Sequence, residues 1–266
     1  MKAFLAAVLL LKRKASWTKV FIRAQRYWRV LEFPYTVTKL PPGHKLEILD
    51  ISSPKLLACL IAKNYPHKVV AIDIWKEEIE FWQEVLTVAG NSRQTRGEIL
   101  LRIEDATRLS FPDDSFDFVY SISVIEHIDG FGDKKAIDEI ARVLKVGGTA
   151  VVTVPYDKEG YDVFRDESVY HKQYASLPVF YERWYNEEQL QGRLLGNSKL
   201  EVVDLQLIYE KHLRVHKCLI PTVRNHSRFV QNLWNLVEPV VGLLNLGITP
   251  GLGKAEGIAA ITFRKR

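Results

Sequence analysis

Cysteine is scarce in this sequence, and its scarcity argues against two classes of protein. Only Cys59 and Cys218 occur among the 266 residues, far apart and without the spacing of metal ligands. A disulfide framework needs several paired cysteines, and a structural zinc site needs clustered ones. Two isolated cysteines fit a reducing compartment, so we expect a cytoplasmic protein with no metal centre.

The amino-terminal region lacks a hydrophobic run of membrane-spanning length. Residues 3–11 are nine apolar residues, followed by the basic cluster Lys12-Arg13-Lys14. Nine residues are too few to cross a bilayer, and a signal peptide carries small residues at its cleavage site rather than a basic cluster. We therefore expect this segment to be neither a transmembrane helix nor a cleaved signal.

Acidic residues are missing from two long stretches. Residues 1–31 contain eight Lys or Arg before the first acid, Glu32, and residues 211–237 contain five Lys or Arg and three His with no acid. The net charge of the whole chain is only +5, so the basic residues are concentrated locally. Such blocks indicate an anionic partner, for example a membrane surface or a phosphate-bearing molecule.

The segment before residue 32 has the pattern of an amphipathic helix. At helical spacing one face carries Trp17, Phe21, Ala24, Trp28 and Leu31, and basic residues lie largely on the other sides. This pattern is typical of a helix at an anionic membrane surface, to which the apolar stretch 233–246 adds a second contact. The alternative is a helix that packs over a ligand cleft as a lid, and the two interpretations are compatible.

From residue 45 onward, short apolar runs alternate with amphipathic stretches. We predict strands over residues 45–51, 68–74, 99–103, 116–121, 149–154, 200–208 and 257–264, and helices over residues 54–64, 76–89, 134–144, 186–195 and 229–246. Apolar strands alternating with helices indicate a parallel sheet covered on both faces. The predicted fold is a doubly wound α/β, Rossmann-like sheet of seven mostly parallel strands with an antiparallel closing strand.

The sequence pattern divides the chain into two parts. We expect residues 1–40 to form a basic amphipathic helical segment and residues 41–266 to form a single domain. Residues 157–185, which show no clear period, and residues 211–256 are expected to be cap or insertion regions.

Acidic residues stand where predicted parallel strands end, which is where such sheets bind ligands. The first strand ends at Asp50, the second at Asp73, and Asp105-Ala106 follows the third. An acid at the end of the second strand commonly accepts hydrogen bonds from a ribose. After the fourth strand come Glu126 and His127, and a Gly147-Gly148 turn precedes the fifth.

The order and spacing of these motifs resemble the class I S-adenosylmethionine-dependent methyltransferases, in particular the small-molecule enzymes with a type 11 methyltransferase domain. The match is tight over residues 45–156 and weaker over 180–210 and 257–264. The resemblance implies that S-adenosylmethionine is the cofactor and is bound by Asp50, Ser52, Asp73, Ile74, Asp105, Ala106 and Ser121. It implies a small-molecule acceptor, lipid-like or anionic, with His127 as the candidate catalytic residue.

The sequence departs from the family where its loop is rich in glycine. The family pattern is Asp-x-Gly-x-Gly-x-Gly. At its three glycine positions this sequence has Ser52, Pro54 and Leu56. Glycine allows a backbone to take positive φ and approach a ligand, whereas proline fixes φ and lacks an amide donor. Since proline suits the first turn of a helix, we expect Pro54 to begin the helix and Ser52 and Ser53 to form the turn.

Other interpretations stay open at this point. Asp50, Asp73 and Asp105 are also plausible turn or capping residues, and His127 is also a plausible packing residue. The altered loop favours a non-catalytic relative that uses the fold for binding or scaffolding. A nicotinamide oxidoreductase is disfavoured because Gly-x-Gly-x-x-Gly is missing, and a nucleic-acid substrate is unlikely because the sequence has no recognisable RNA-binding motif.

Overall fold

The computed structural model describes residues 27–43, 45–90, 96–167, 174–253 and 255–266. Most of the predicted amphipathic helix before residue 32, and the basic residues before Arg29, lie outside the described residues. Of its predicted apolar face, Trp28 and Leu31 are described, and both pack into the core.

The elements follow each other in the order that the apolar periodicity predicts. The strands are β1 (Glu47–Ile51), β2 (Lys68–Asp73), β3 (Glu98–Ile103), β4 (Phe116–Ile122), β5 (Leu144–Tyr156), β6 (Tyr161–Glu167), β7 (Tyr174–Trp184), β8 (Leu200–Glu210), β9 (Leu246–Pro250) and β10 (Gly257–Lys265). The helices are α1 (Arg29–Thr38), α2 (Leu56–Asn64), α3 (Lys76–Gly90), α4 (Gly132–Val143), α5 (Glu187–Leu190), α6 (Ile220–Arg224) and α7 (Arg228–Asn245). Short turns of helix lie over Ile125–His127, Gln191–Leu195 and Val215–Leu219.

One sheet of eight strands forms the centre of the fold, in the order β3-β2-β1-β4-β5-β10-β8-β9. The first five strands in this order are parallel, and β10, β8 and β9 each run antiparallel to the preceding neighbour. The strand order reverses between β1 and β4. In an open parallel sheet, the crevice beyond the carboxyl ends of the strands at this reversal is the usual ligand site.

Alternating side chains of each inner strand pack against opposite faces of the sheet. Leu49 and Ile51 of β1 belong to a core that includes α4 and α5, whereas Ile48 belongs to a core that includes α1 and α2. Helices therefore cover both faces, as the doubly wound prediction requires. This part of the predicted fold class is confirmed.

Two details of the prediction were wrong. The sheet has eight strands rather than seven, because residues 246–250 directly after α7 pair with β8 as a strand of five residues. The helix α2 begins at Leu56 and not at Pro54, whose carbonyl instead accepts a hydrogen bond from the amide of Leu57 in the preceding turn. The region 157–185, without a period in the sequence, contains the hairpin of β6 and β7.

A buried carboxylate joins α4 to the hairpin and to the segment after α5. Asp133 is fully buried, and its oxygens accept hydrogen bonds from Arg183 at 3.1 Å, from Arg193 at 2.7 Å and from the hydroxyl of Tyr185 at 2.8 Å. The segment that carries Arg193 begins with a helix cap, in which the side chain of Asn186 accepts a hydrogen bond from the amide of Gln189. These contacts hold β7 against the edge where the site lies.

Among the described helices, none combines the length and the hydrophobicity that crossing a bilayer requires.

Replacing Asp133 with alanine is predicted to lower the free energy of unfolding by about 3–5 kcal/mol, because two arginines would lose their buried counter-charge. Urea unfolding followed by circular dichroism measures this change. Asp138→Ala on the same helix is the control, since its exposed carboxylate contacts Asn197, and it should change stability by less than about 0.5 kcal/mol. Equal losses in the two variants would show that Asp133 does not carry this interaction.

Candidate functional site

A cavity of about 330 Å³ lies at the carboxyl ends of the parallel strands, where the strand order reverses. Its walls come from the segments that follow β1, β2, β3 and β4. The residues that line it are Ser52, Asp73, Ile74, Trp75, Asp105, Ala106, Thr107, Ser123, Val124, His127 and Ile128. We call it the first cavity. It unites six of the eight residues that the sequence nominated as site residues.

The two central strands both end in a serine with a left-handed backbone. Ser52 after β1 has φ 51°, and Ser123 after β4 has φ 48°. This conformation costs a residue other than glycine on the order of 1–3 kcal/mol and is found often at functional sites. The chain therefore makes the sharp turn of the glycine pattern at Ser52 without glycine. The hydroxyl of Ser53 reinforces it by accepting from the amide of Ile122 at 2.9 Å.

Lys55 fills the space behind this turn with a buried positive charge. Its side chain is 2% exposed, and its Nζ donates to the carbonyl of Ser53 at 2.9 Å. The same Nζ lies 3.5 Å from Oδ2 of Asp73 and 3.9 Å from Oδ2 of Asp50. We call these three residues, Asp50, Lys55 and Asp73, the loop ion cluster. It links the ends of β1 and β2 through charge.

Burial shifts the titration of both carboxyls in the loop ion cluster. Desolvation raises the pKa of Asp50 to about 6, although Lys55 and the amide of Ser53 act in the opposite direction. Desolvation also raises the pKa of Asp73, and again Lys55 opposes the shift. Lys55 therefore favours the charged form of Asp73, which lines the first cavity.

The segments after β2 and β3 present both polar and apolar groups to the first cavity. Oδ1 of Asp73 accepts from the amide of Trp75 at 3.1 Å, and Oδ1 of Asp105 accepts from the amide of Thr107 at 2.8 Å. Ile74 is 44% exposed although it is a large apolar residue. An exposed isoleucine beside two carboxylates suits a ligand with an apolar ring and hydroxyl groups.

Two nominated residues do not line the first cavity. Asp50 is fully buried behind the turn, where its Oδ1 accepts from the amide of Ser53 at 2.9 Å. Ser121 is fully buried within β4, and its hydroxyl lies 3.4 Å from the carbonyl of Ile51. Both therefore support the turn between β1 and α2 from behind.

A second cavity adjoins the first, and Ser123 and His127 line both. It measures about 120 Å³ and is lined by Tyr27, Trp28, Arg29, Ser123, Glu126, His127, Pro155, Tyr181, Glu182, Trp184, His216, Ile220, Glu238 and Ile258. The rings of Trp28, His216 and Trp184 form a row, with centroids 5.5 Å and 5.7 Å apart. The second cavity is thus an aromatic pocket beside the first.

The helix α1 is held against the edge of the sheet by one buried carboxylate. Glu32 is fully buried and accepts from the hydroxyls of Ser123 at 2.8 Å and Thr153 at 2.6 Å. Arg29 forms an ion pair with Glu32 and donates to Ser123 at 2.9 Å. These bonds place Trp28 and Arg29 in the wall of the second cavity.

The carboxyl of Glu126 belongs to the wall of the second cavity, next to His127, which lines both cavities. The residue is 1% exposed, its Oε1 is 3.9 Å from Nε2 of His127, and its Oε2 has no hydrogen-bond partner among the described residues. Burial raises the pKa of Glu126 well above its ordinary value, and the nearby Glu182 adds to the shift. Nδ1 of His127 is 2.7 Å from the carbonyl of Tyr181, which fixes the ring between the cavities.

Several residues of the site were not nominated from the sequence. Lys55 stands in the altered glycine pattern, so a charged residue within a ligand loop was an available signal. Trp28, Arg29 and Glu32 gave no such signal, because their positions depend on contacts with residues about 90 positions later in the chain.

Comparison with known proteins assigns the central part of the chain. Residues 49–152 match a family model described as a methyltransferase domain. The uncharacterized methyltransferase YcgJ of Bacillus subtilis is 33% identical over 127 residues, and ajmaline N-methyltransferase of Rauvolfia serpentina is 30% identical over 122. A solved S-adenosylmethionine-dependent methyltransferase from Methanosarcina mazei superposes with a TM-score of 0.56 at 19% identity, covering 87% of this chain and 97% of its own.

The sequence matches do not extend over whole proteins. They cover 47% and 46% of this chain but only 46% of YcgJ and 38% of the ajmaline enzyme. The chain thus aligns with less than half the length of these curated relatives. The superposed structure supports the fold alone.

Replacing Asp50 with asparagine is predicted to remove part of the pH dependence of stability. The folded protein binds the proton of Asp50 more tightly than the unfolded chain does, so stability from this group falls as pH rises from about 4 to above 6. The difference in unfolding free energy, wild type minus Asp50→Asn, should therefore fall by about 3 kcal/mol between pH 4 and pH 7. Urea titrations at several pH values measure it.

Asp138→Asn, an exposed site, is the control for this measurement and should parallel wild type at every pH. A difference between wild type and Asp50→Asn that stays constant across the range would contradict a raised pKa at Asp50.

Proposed function

We propose that this chain, whose residues 49–152 match a family model described as a methyltransferase domain, transfers a methyl group from S-adenosylmethionine to a small-molecule acceptor. The observation that carries the proposal is the pair of adjoining cavities that meet at Ser123 and His127. One cavity has the groups that an adenosine needs, and the other is available to an acceptor.

The residues of the first cavity fit the cofactor. Asp73, at the end of β2, would accept hydrogen bonds from ribose hydroxyls. Ile74 and Ala106 would pack against the adenine ring, with Asp105 at its polar edge. Ser52 would turn the backbone toward the methionine portion, while Asp50 and Ser121 support that turn and do not touch the ligand.

When bound, the cofactor supplies a methyl group on a positively charged sulfur, which is already electrophilic. The protein therefore needs mainly to align the acceptor, and alignment alone contributes roughly 7–11 kcal/mol to such reactions. The segment from Ser123 to His127 separates the cavities and would set this alignment. His127, which lines both cavities, would help to orient the acceptor.

The finer nature of the acceptor also belongs to this proposal. One relative is by its name an N-methyltransferase of ajmaline, which supports a small organic acceptor with a reactive nitrogen. A non-catalytic binding or scaffolding role is the alternative, and the absence of glycine from the loop favours it. The two differ in whether the first cavity binds S-adenosylmethionine.

Isothermal titration calorimetry with S-adenosylmethionine tests the assignment. Wild type should release or absorb heat on binding, and Asp73→Ala should bind more weakly by about 1–3 kcal/mol because the ribose hydroxyls lose a charged acceptor. Asp138→Ala is the matched control and should bind like wild type. If wild type shows neither heat nor a thermal shift at millimolar ligand, the scaffold interpretation replaces the enzyme.

A second aspect of the proposal is attachment to an anionic membrane surface. Along α7 one face exposes large apolar side chains at helical spacing: Phe229, Leu233, Leu236, Val237, Val240, Leu243 and Leu244. The opposite side carries the buried Glu238 and Asn245. The loop 211–214, with Lys211 and Arg214 exposed, meets the end of α7 at Asn245. An apolar face with basic flanks is the pattern of an interfacial helix.

Tyr27, the first described residue, contacts α7, which carries the exposed apolar face. Its backbone amide donates to Glu238 at 2.8 Å, and its hydroxyl accepts from Asn245 at 2.6 Å. The basic residues 1–26 therefore join the described chain beside α7. Two features that favour anionic lipid thus begin at one place.

Replacing both Leu236 and Leu243 with glutamine should reduce binding to anionic vesicles roughly tenfold, since two exposed apolar anchors are lost. Co-sedimentation with phosphatidylserine-containing and with neutral vesicles, at low and high salt, measures the effect. The double variant Val146→Gln with Val203→Gln changes two exposed residues elsewhere and should leave binding unchanged. Wild type that stays in the supernatant with anionic vesicles at low salt would overturn membrane attachment.

A further inference from the structure

Three residues that line the second cavity each carry a buried polar atom without a hydrogen-bond partner among the described residues. The atoms are Nε1 of Trp28, Nε of Arg29 and Oε2 of Glu126. Leaving such an atom unpaired costs about 1–3 kcal/mol each. Three of them around one cavity indicate a place that a ligand completes.

The charges around the second cavity favour a cation over an anion. Among the described residues that line it are three carboxyl side chains, those of Glu126, Glu182 and Glu238, and one arginine, Arg29, which is already paired with Glu32. Its aromatic wall contains Trp28, Trp184 and Tyr181. Carboxylates together with aromatic faces are the groups that bind organic ammonium ions.

We propose that the second cavity binds an acceptor with a basic amine on an apolar or aromatic body, and that Glu126 is the residue that selects the amine. This inference rests on the proposed methyl transfer and names the acceptor class for it. Oε2 of Glu126 accepts a hydrogen bond from the N–H of the amine. The row of Trp28, His216 and Trp184 contacts the body of the molecule, and Nε1 of Trp28 donates to an oxygen of an acceptor that carries one.

Glu126 would both bind the amine and prepare it for methyl transfer. Glu126 adjoins His127, and His127 lines both cavities, so an amine held by Glu126 lies beside a residue that also lines the first cavity. An ammonium ion has no free lone pair and must lose a proton before it can accept a methyl group. That proton passes from nitrogen to the carboxylate of Glu126, leaving a neutral amine and a neutral carboxyl. The raised pKa of the buried Glu126 carboxyl is consistent with this transfer.

The experiment compares phenylalkylamines of one to three methylenes with the alcohols and carboxylates of the same skeletons. Binding to the wild-type protein is measured by calorimetry and by ligand-observed NMR, without cofactor. At least one amine should bind about tenfold or more tightly than its alcohol, and the carboxylates should bind most weakly. The proposal is overturned if no amine binds, or if a carboxylate matches its amine.

One Glu126 variant and two comparison variants then test the role of Glu126. Glu126→Gln keeps the shape of the side chain and should abolish the preference for amine over alcohol, while its affinity for S-adenosylmethionine stays unchanged. Glu188→Gln makes the same chemical change at an exposed position and should keep the preference. A preference that persists in Glu126→Gln would assign the selection to another group. Trp28→Phe, which removes Nε1 but keeps a ring, should keep the amine preference and supplies a second variant if Glu126→Gln fails to fold.

The test of amine selectivity and the test of cofactor binding can fail independently of each other. Cofactor binding without amine selectivity would leave the methyltransferase assignment intact and remove this inference. Amine selectivity without cofactor binding would keep the second cavity as an amine site and remove the methyl transfer.

Discussion

The buried ammonium of Lys55 lies between the carboxylates of Asp50 and Asp73, and the shape of the first cavity depends on this arrangement. A glycine-rich loop brings backbone amides to a ligand because glycine has no side chain to interfere. Here the sharp turn is made by residues that have side chains. The left-handed turn falls on Ser52, and the side chain of Lys55 occupies the space behind it. The ion pairs of Lys55 with Asp50 and Asp73 therefore support the loop. The cavity is present although the loop has no glycine.

A second buried charge, that of Glu32, holds the helix α1 in place, as Lys55 holds the loop after β1. Glu32 accepts hydrogen bonds from Ser123 and Thr153, at the ends of β4 and β5, and pairs with Arg29. Without these partners the carboxylate would be buried at a cost of several kcal/mol, so the contact is specific for this register of helix and sheet. Because Ser123 lines both cavities, the docking of α1 and the shape of the site are physically connected.

The sequence predicts the central sheet well because each parallel strand is a short apolar run followed by an amphipathic helix. The ends of those strands also locate Asp73, Asp105 and His127 in the first cavity, since topology alone brings strand ends together. The strand β9 escapes the same reasoning because its five residues include a glycine and a proline and directly follow an apolar helix. Local periodicity cannot separate such a strand from the end of the helix.

The residues that distinguish this chain were harder to predict for a different reason. Asp50 and Ser121 occupy positions that motif matching assigns to ligand binding, yet both side chains are fully buried behind the turn. Whether a strand-end side chain faces the ligand or the core depends on one residue of register. Lys55 and Glu32 act through partners on other strands, so their roles follow from the tertiary structure only.

The two cavities together explain why so many charged groups are buried at one edge of the sheet. A cofactor with a cationic sulfur and an acceptor with a basic nitrogen would both be positively charged when free, and two cations repel each other at close range. In the proposed complex, the carboxylate of Glu126 in the second cavity would offset this repulsion. Because Arg29 is paired with Glu32, α1 closes the second cavity without adding an unpaired positive charge. Under the proposal, the transfer of a proton from the amine to Glu126 would then remove the charge on the acceptor and, with it, the repulsion between the two ligands.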